Sequence, residues 1–394
     1  MVPSTLPFSL DEYAARLARV RTSMEARGLD VLYAQDPSNI AWLTGYDGWS
    51  FYTHQGVVVT KDGPPIWWGR YMDSRGAERT VWMGSAYIRA YGDEYVMTEA
   101  RHPMETLADL IAELGGATSR IGVEMEGYYY SPKAHAVLTG ALPDATFVDA
   151  TALVNWERAV KSEAELVFMG RAARIAEKIV DGIVERIEPG MPKNVLVAEI
   201  QRDAIRGADG HWGDYAAIVP MLPSGLDATA AHLTWDDRPF KRGEVTFFET
   251  AGCYRRYHTP FCRSVFLGPL PDDLKRAEAA LVDGLEAGIS AAKPGAVAGD
   301  VARAYHGALK RHGIERTGRC GYPIGLSYPP DWGERTISFR EEDETELRPG
   351  MTFHLMTSLW LEEYGIEITE PILISQSGPA TCFCDRPRKI FVKD

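Results

Sequence analysis

"GIVERIEPGMPKNVLVAEIQRDAIRGADG", residues 182–210, reads as a helix, a Pro-Gly turn, a second helix and a closing glycine. "GISAAKPGAVAGDVARAYHGALKRHG", residues 288–313, repeats that order. A strand-rich stretch follows each: VTFFE and CRSVFLG after the first, TFHLMTSLW and IEITEPILIS after the second. Two matching series of elements about a hundred residues apart point to a duplicated α+β unit, its halves facing each other across a cleft.

Working outward, Ser162-x-x-Glu165 has the spacing of a capping box and opens a long helix reaching about Ile187. Ser9-x-x-Glu12 opens an earlier one, with Leu10, Tyr13, Leu17, Val20 and Met24 at helical spacing and Gly28 closing it. Between these helices lie the strand-like pieces DVLYAQ, GVVVT, PIWWG, AYIRAY, RIGVE and ATFVD, with helical stretches near Met104–Leu114 and Pro132–Leu138. That alternation predicts an α/β domain. The boundary is expected near 155–163, giving domains of 1–158 and 159–394.

A chain of 394 residues with 45% hydrophobic and 25% charged residues has the balance of a globular protein. A net charge of −13 argues against a nucleic-acid surface. The five cysteines, 253, 262, 320, 382 and 384, are odd in number and scattered, which fits reduced thiols in a cytoplasm. Cys382-x-Cys384 lacks the further donors of a metal clip. The first residues show neither a basic region nor an apolar one, and no stretch has the length of a membrane span.

In "FFETAGCYRRYHTPFCRS", residues 247–264, an apolar run ends in Glu249, a small-residue turn is expected at Thr250–Gly252, and the chain returns through Arg263-Ser264. Together with "GLDVLYAQDPSNIAWLTGY" (28–46), "ERAVKSEAELVFMGRAARIAE" (157–177) and "RPGMTFHL" (348–355), this resembles the creatinase/prolidase/methionine-aminopeptidase group over nearly the whole chain. The resemblance implies a creatinase-type α/β N-terminal domain and a C-terminal pita-bread α+β domain with internal duplication. It also implies a homodimer in which the N-terminal domain of one protomer closes the cleft of its partner.

The peptidases of this group use two Asp, one His and two Glu as metal ligands. Position by position, those ligands become Glu249, Pro260, Tyr322, Met356 and Thr369 here. Hard divalent cations need several convergent carboxylates or imidazoles, so the expectation is no metal and no other cofactor. Prolidase or aminopeptidase activity, which needs a metal to generate hydroxide, is therefore not expected. The metal-free branch acts on guanidino compounds or on the cyclic amidine ectoine, and the absence of a His at Tyr322 and of an acid at Cys262 favours ectoine.

An amidinium carbon already carries positive charge and needs only a nucleophile or base and a proton donor for the departing nitrogen. Glu249 is the expected catalytic group, attacking that carbon or activating the water that does, with a carboxylate capping the Thr250–Gly252 turn as the structural alternative. His232, after "PMLPSGLDATAA", stands where the resemblance places a catalytic histidine outside the metal set, and imidazole suits a proton shuttle. Trp49 and Tyr52 offer aromatic faces to a delocalised cation. Arg335 is the candidate for the substrate carboxylate, Asp214 and the acids of EEYGIEITE (362–370), Glu370 foremost, for its ring N–H groups, and Tyr322 for a hydrogen bond or for filling space. A guanidino-acid hydrolase and a catalytically inactive binding protein on the same fold are the rival readings.

Overall fold

The computed structural model describes residues 6–394, and the chain divides into two compact units, Met1–Glu157 and Arg158–Asp394. In the first, α1 (Leu10–Ala26), β1 (Val31–Ala34), α2 (Pro37–Thr44), β2 (Gly56–Thr60), β3 (Ile66–Arg70) and α3 (Tyr71–Thr80) come first. They are followed by β4 (Ile88–Tyr91), α4 (Pro103–Glu113), β5 (Arg120–Val123), α5 (Pro132–Ala141), β6 (Thr146–Asp149) and α6 (Leu153–Arg158). The six strands form one mixed sheet ordered β4-β3-β2-β1-β5-β6. VLYA of β1 and the first four residues of β2 are buried without alternation, as strands covered on both faces are.

Two local readings need correction here. Ser9 does accept from the Glu12 N–H at 3.2 Å, but the Glu12 carboxylate turns along the helix to Arg16 at 3.0 Å instead of closing a box. Helix α2 falls inside a stretch read only as a motif. Its signals were present: Asp36 caps the Ser38 N–H, Pro37 sits in the first turn, and Gly45 ends it at φ 82.

The second unit begins with α7 (Glu163–Arg186), whose N-terminus is a complete Ser162/Glu165 capping box. Then come α8 (Lys193–Arg206), the long hairpin β7 (Val245–Tyr254) and β8 (Tyr257–Leu267), α9 (Asp272–Ala291) and α10 (Ala298–Arg311). Short strands complete it: β9 (Gly321–Pro323), β10 (Thr352–Leu355), β11 (Ser358–Trp360), β12 (Gly365–Glu367), β13 (Glu370–Leu373), β14 (Thr381–Cys382) and β15 (Phe391–Lys393). The sheets are β15-β8-β7, β14-β13-β10-β9 and the pair β11-β12.

Duplication is visible in the backbone. Gly190 N–H donates to the Phe240 carbonyl at 2.9 Å and Phe240 N–H to the Met191 carbonyl at 2.9 Å. In the second half Gly295 and Leu347 repeat this, Gly295 N–H to Leu347 C=O at 3.0 Å and Leu347 N–H to Ala296 C=O at 2.8 Å. Both turn glycines are left-handed, φ 89 and 81.

Helix α7 lies against β7 and β8, burying Ala173, Ala176, Val180 and Phe261 in one cluster. Gly252 permits that approach: a Cβ there would stand 2.0 Å from the Ala172 carbonyl oxygen. The small-residue turn expected at Thr250–Gly252 does not exist. β7 runs straight through it, and the reversal comes at Arg255 and Arg256, both at positive φ (48 and 68) as a tight hairpin turn requires. The expected strands TFHLMTSLW and IEITEPILIS are each broken in two, at Met356-Thr357 and Ile368-Thr369, because the backbone changes partners there. Ile368 N–H bonds the Thr357 carbonyl at 3.1 Å, while the next residue, Thr369, bonds the Cys262 carbonyl at 3.2 Å.

Candidate active site

Glu249 lies in the middle of β7, paired with Cys262 of β8 on one side and with Met221 on the other. Every residue of β7 is buried, and Glu249 keeps 6% exposure. Among the described residues no donor bonds its carboxylate. Burial first, and then the Asp331 carboxylate, push its pKa up to about 7. A carboxyl group in that state can accept a proton near neutrality and would be drawn into its charged form by a cation.

A neutral hydrogen-bonded chain runs beside it. The Trp332 indole N–H donates to the Tyr322 hydroxyl at 2.8 Å, and that hydroxyl lies 2.9 Å from His354 Nδ1. His354 Nε2 is 2.8 Å from Thr369 Oγ1, which also accepts from the Cys262 N–H at 3.0 Å. Burial, and to a lesser degree Arg319, hold the His354 pKa down at about 3, so the imidazole is neutral. Tyr322 is pushed well up by burial and by Glu249. Its position is therefore more than filler: the hydroxyl joins β9 to β10, and the ring carries the exposed Arg319 guanidinium at 4.8 Å.

A second acid completes the cluster. Glu367, 1% exposed on β12, is pushed well up by burial and by Glu249. Ser264 clamps its backbone, accepting from the Glu367 N–H at 2.9 Å and donating to its carbonyl at 3.1 Å. Sequence reading missed Asp331, Trp332, His354 and Arg319, and it ranked Glu367 behind Glu370 among the acids of EEYGIEITE. The inward-facing His354 lay inside the quoted RPGMTFHL, two residues before the position being inspected.

The other expected residues are distributed unevenly. His232 is exposed in the loop after the 3-10 turn Gly225–Thr229, and that loop is fastened to the site strand through Leu222–Thr234 and Met221–Glu249 bonds. Arg335 is exposed, at φ 57, next to Glu334, which Lys161 and Arg158 hold in a buried ion pair. Two acids are already engaged: Asp214 pairs with Arg256 at 2.9 Å, and Glu370 with Arg263 at 2.7 Å and Arg388 at 3.3 Å. Each thus has one carboxylate oxygen paired with an arginine. His258 is buried, its Nε2 accepting the Ala217 N–H at 2.8 Å. In the first unit Trp49 is 58% and Tyr52 62% exposed. Tyr52 lines a cavity of about 260 Å³ with His54, Arg101 and His102.

The five positions that resemblance assigns to metal ligands do not suit a metal. Pro260 offers no donor and pairs within the hairpin with Ala251. The Tyr322 and Thr369 hydroxyls are committed to His354 and to the Trp332 and Cys262 N–H groups. Among the described residues no three His, Cys, Asp or Glu side chains are arranged to hold an ion.

Residues 168–376 match metallopeptidase family M24 and residues 16–160 the creatinase/prolidase N-terminal domain. The chain is 53% identical over 400 residues to an ectoine hydrolase of Halomonas elongata, covering 100% of each chain. It is 23% identical to a creatinase of a Bacillus species, with 94% of this chain and 90% of that one covered. Among solved structures, a prolidase from Thermococcus sibiricus superposes with TM-score 0.84 at 16% identity, covering 98% and 100% of the chains, which speaks for the fold alone.

Proposed function

This chain belongs to metallopeptidase family M24, and on that premise we propose that it is a hydrolase of a non-peptide C–N bond. Its substrate is ectoine, whose cyclic amidine it opens to N-acetyl-2,4-diaminobutyrate without a metal. The observation that carries this reading is Glu249, a buried carboxyl with no hydrogen-bond donor among the described residues, in a site whose other metal-ligand positions hold Pro, Tyr, Met and Thr. A cationic amidinium supplies the missing counter-charge, and the positive carbon needs no Lewis acid. Glu249 takes a proton from water as its oxygen attacks that carbon, and the C–N bond then breaks toward a protonated nitrogen.

Tyr322, held by Trp332 and His354, orients the bound ring. His232, at the solvent side, exchanges protons with bulk water. Arg335 and Arg319 are the cations offered to the substrate carboxylate, Arg319 from above the Tyr322 ring. The protein acts as a cytoplasmic homodimer in which Trp49 and Tyr52 of one protomer close the site of the other.

A proton NMR time course with ectoine, with and without excess EDTA, tests this. The expected result is ring opening that chelator leaves untouched and that Glu249→Gln lowers by about 10²–10⁴-fold. Loss of activity in EDTA would overturn metal independence. Turnover of creatine in place of ectoine would move the assignment to a guanidino acid.

A further inference from the structure

The ectoine-opening reaction requires a proton on the departing ring nitrogen, and Glu249, busy with water, does not supply it. The duplicated halves show which group can. Cys262 and Thr369 occupy matching places in the two halves and bond each other, Thr369 N–H to the Cys262 carbonyl at 3.2 Å and Cys262 N–H to Thr369 Oγ1 at 3.0 Å. The residues after them, Arg263 and Glu370, also match and form a buried ion pair at 2.7 Å. By the same matching, Glu367 stands where the first half has Pro260. The acid missing from one half is present in the other.

Its surroundings point to a working group. Glu367 Oε2 is buried and has no hydrogen-bond partner among the described residues. The charged and titratable groups facing it are Glu249 from β7, Cys262 from β8 and, further off, Arg316. A lone carboxylate could not stay ionised there, and among the described residues no arginine or lysine is paired with it. Glu370, two residues away from the same break in the strands, shows the contrast: its charge is held by Arg263 and Arg388.

We propose that Glu367 is a second catalytic residue, the acid that protonates the leaving ring nitrogen while Glu249 acts as base. In the first step the water oxygen bonds to the amidine carbon, the C=N electron pair moves to nitrogen, and the water proton goes to Glu249. In the second, the C–N bond breaks, its electron pair goes to nitrogen, and that nitrogen takes the proton of Glu367. The hydroxyl proton of the adduct returns to Glu367 as the acetamide C=O forms. The proton on Glu249 leaves with the amine as ammonium, so both acids return to their starting states. Two carboxyl groups this close cannot both ionise, which keeps one proton on the pair.

This inference rests on the ectoine reading, and one experiment separates them. Wild type, Glu367→Gln and Glu367→Asp are assayed with ectoine from pH 5 to 9 by proton NMR, with thermal unfolding of each. The expected result is a kcat lowered about 10²-fold in Glu367→Gln with KM within a few-fold. Its fall of rate at alkaline pH, where the wild-type acid loses its proton, is expected to vanish. Glu367→Asp, still protonable, should keep that alkaline limb at a reduced rate. Near wild-type kcat in Glu367→Gln would overturn the proposal, as would equal losses in both variants accompanied by lost cooperative unfolding. Wild type inert toward ectoine would instead overturn the substrate reading.

Discussion

At the scale of single residues, Glu249 is set by two causes with the same sign, burial and the nearby Asp331 carboxylate. As a base it must be ionised, so the acid limb of kcat/KM is expected to rise with pH up to about 7, with the alkaline fall set by Glu367 following above it. In the complex the cationic ring favours the ionised form, so the limb in kcat should lie at lower pH. Asp331→Asn removes the like charge and should move the kcat/KM limb down, which a pH profile of the variant checks. Arg319 makes no ion pair among the described residues and sits 4.8 Å over the Tyr322 ring. A charge-assisted contact to the substrate carboxylate contributes about 1.5–3 kcal/mol. Arg319→Ala should accordingly raise KM for ectoine about tenfold or more with kcat little changed, and more than Arg335→Ala does. Glu249 was legible at this scale because a motif marks its place. Asp331, in an irregular loop, carries no pattern that would single it out.

Among elements, the duplicated helix–turn–helix pieces depend on Gly190 and Gly295. A Cβ would meet nothing within 4 Å at either, so the cost of Ala there is conformational alone. Each substitution is expected to destabilise by about 1–2 kcal/mol, seen as a lower denaturant midpoint with unchanged m-value. Arg263 is the stronger joint. Its guanidinium bonds the carbonyls of Cys262, Thr369, Arg386 and Pro387 as well as Glu370, tying β8 to β13 and to the C-terminal segment. Arg263→Met would leave Glu370 buried with only the more distant Arg388, at a cost of about 3–5 kcal/mol in thermal or denaturant unfolding. The helices and the Pro-Gly turns could be read from periodicity and caps. The breaks at Met356-Thr357 and Ile368-Thr369 could not, because no glycine or turn pair stands at either junction and only the change of bonding partner ends one strand and starts the next.

For the whole molecule, the site cluster lies entirely within the second unit, while the exposed Trp49 and Tyr52 belong to the first. If the proposed dimer closes each site with the partner's aromatics, two inactive variants should complement each other. Trp49→Ala/Tyr52→Ala protomers mixed and reassembled with Glu249→Gln protomers should regain part of the wild-type rate. A mixture that stays as slow as its components would show that each protomer completes its own site.

The order of elements, the doubled helix–turn–helix pieces and the loss of four family ligand residues are properties of the amino-acid string. Propensity, capping and side-chain identity act over a few residues and need no distant partner. What tertiary structure decided is which groups share one buried volume. It brought Glu249, Asp331, His354 and Glu367 together from four separate segments, and it set Asp214 and Glu370 against arginines. The reason is that desolvation and charge–charge coupling depend on what lies within a few ångströms in space. For these residues the nearest neighbours lie tens to a hundred positions away in the chain.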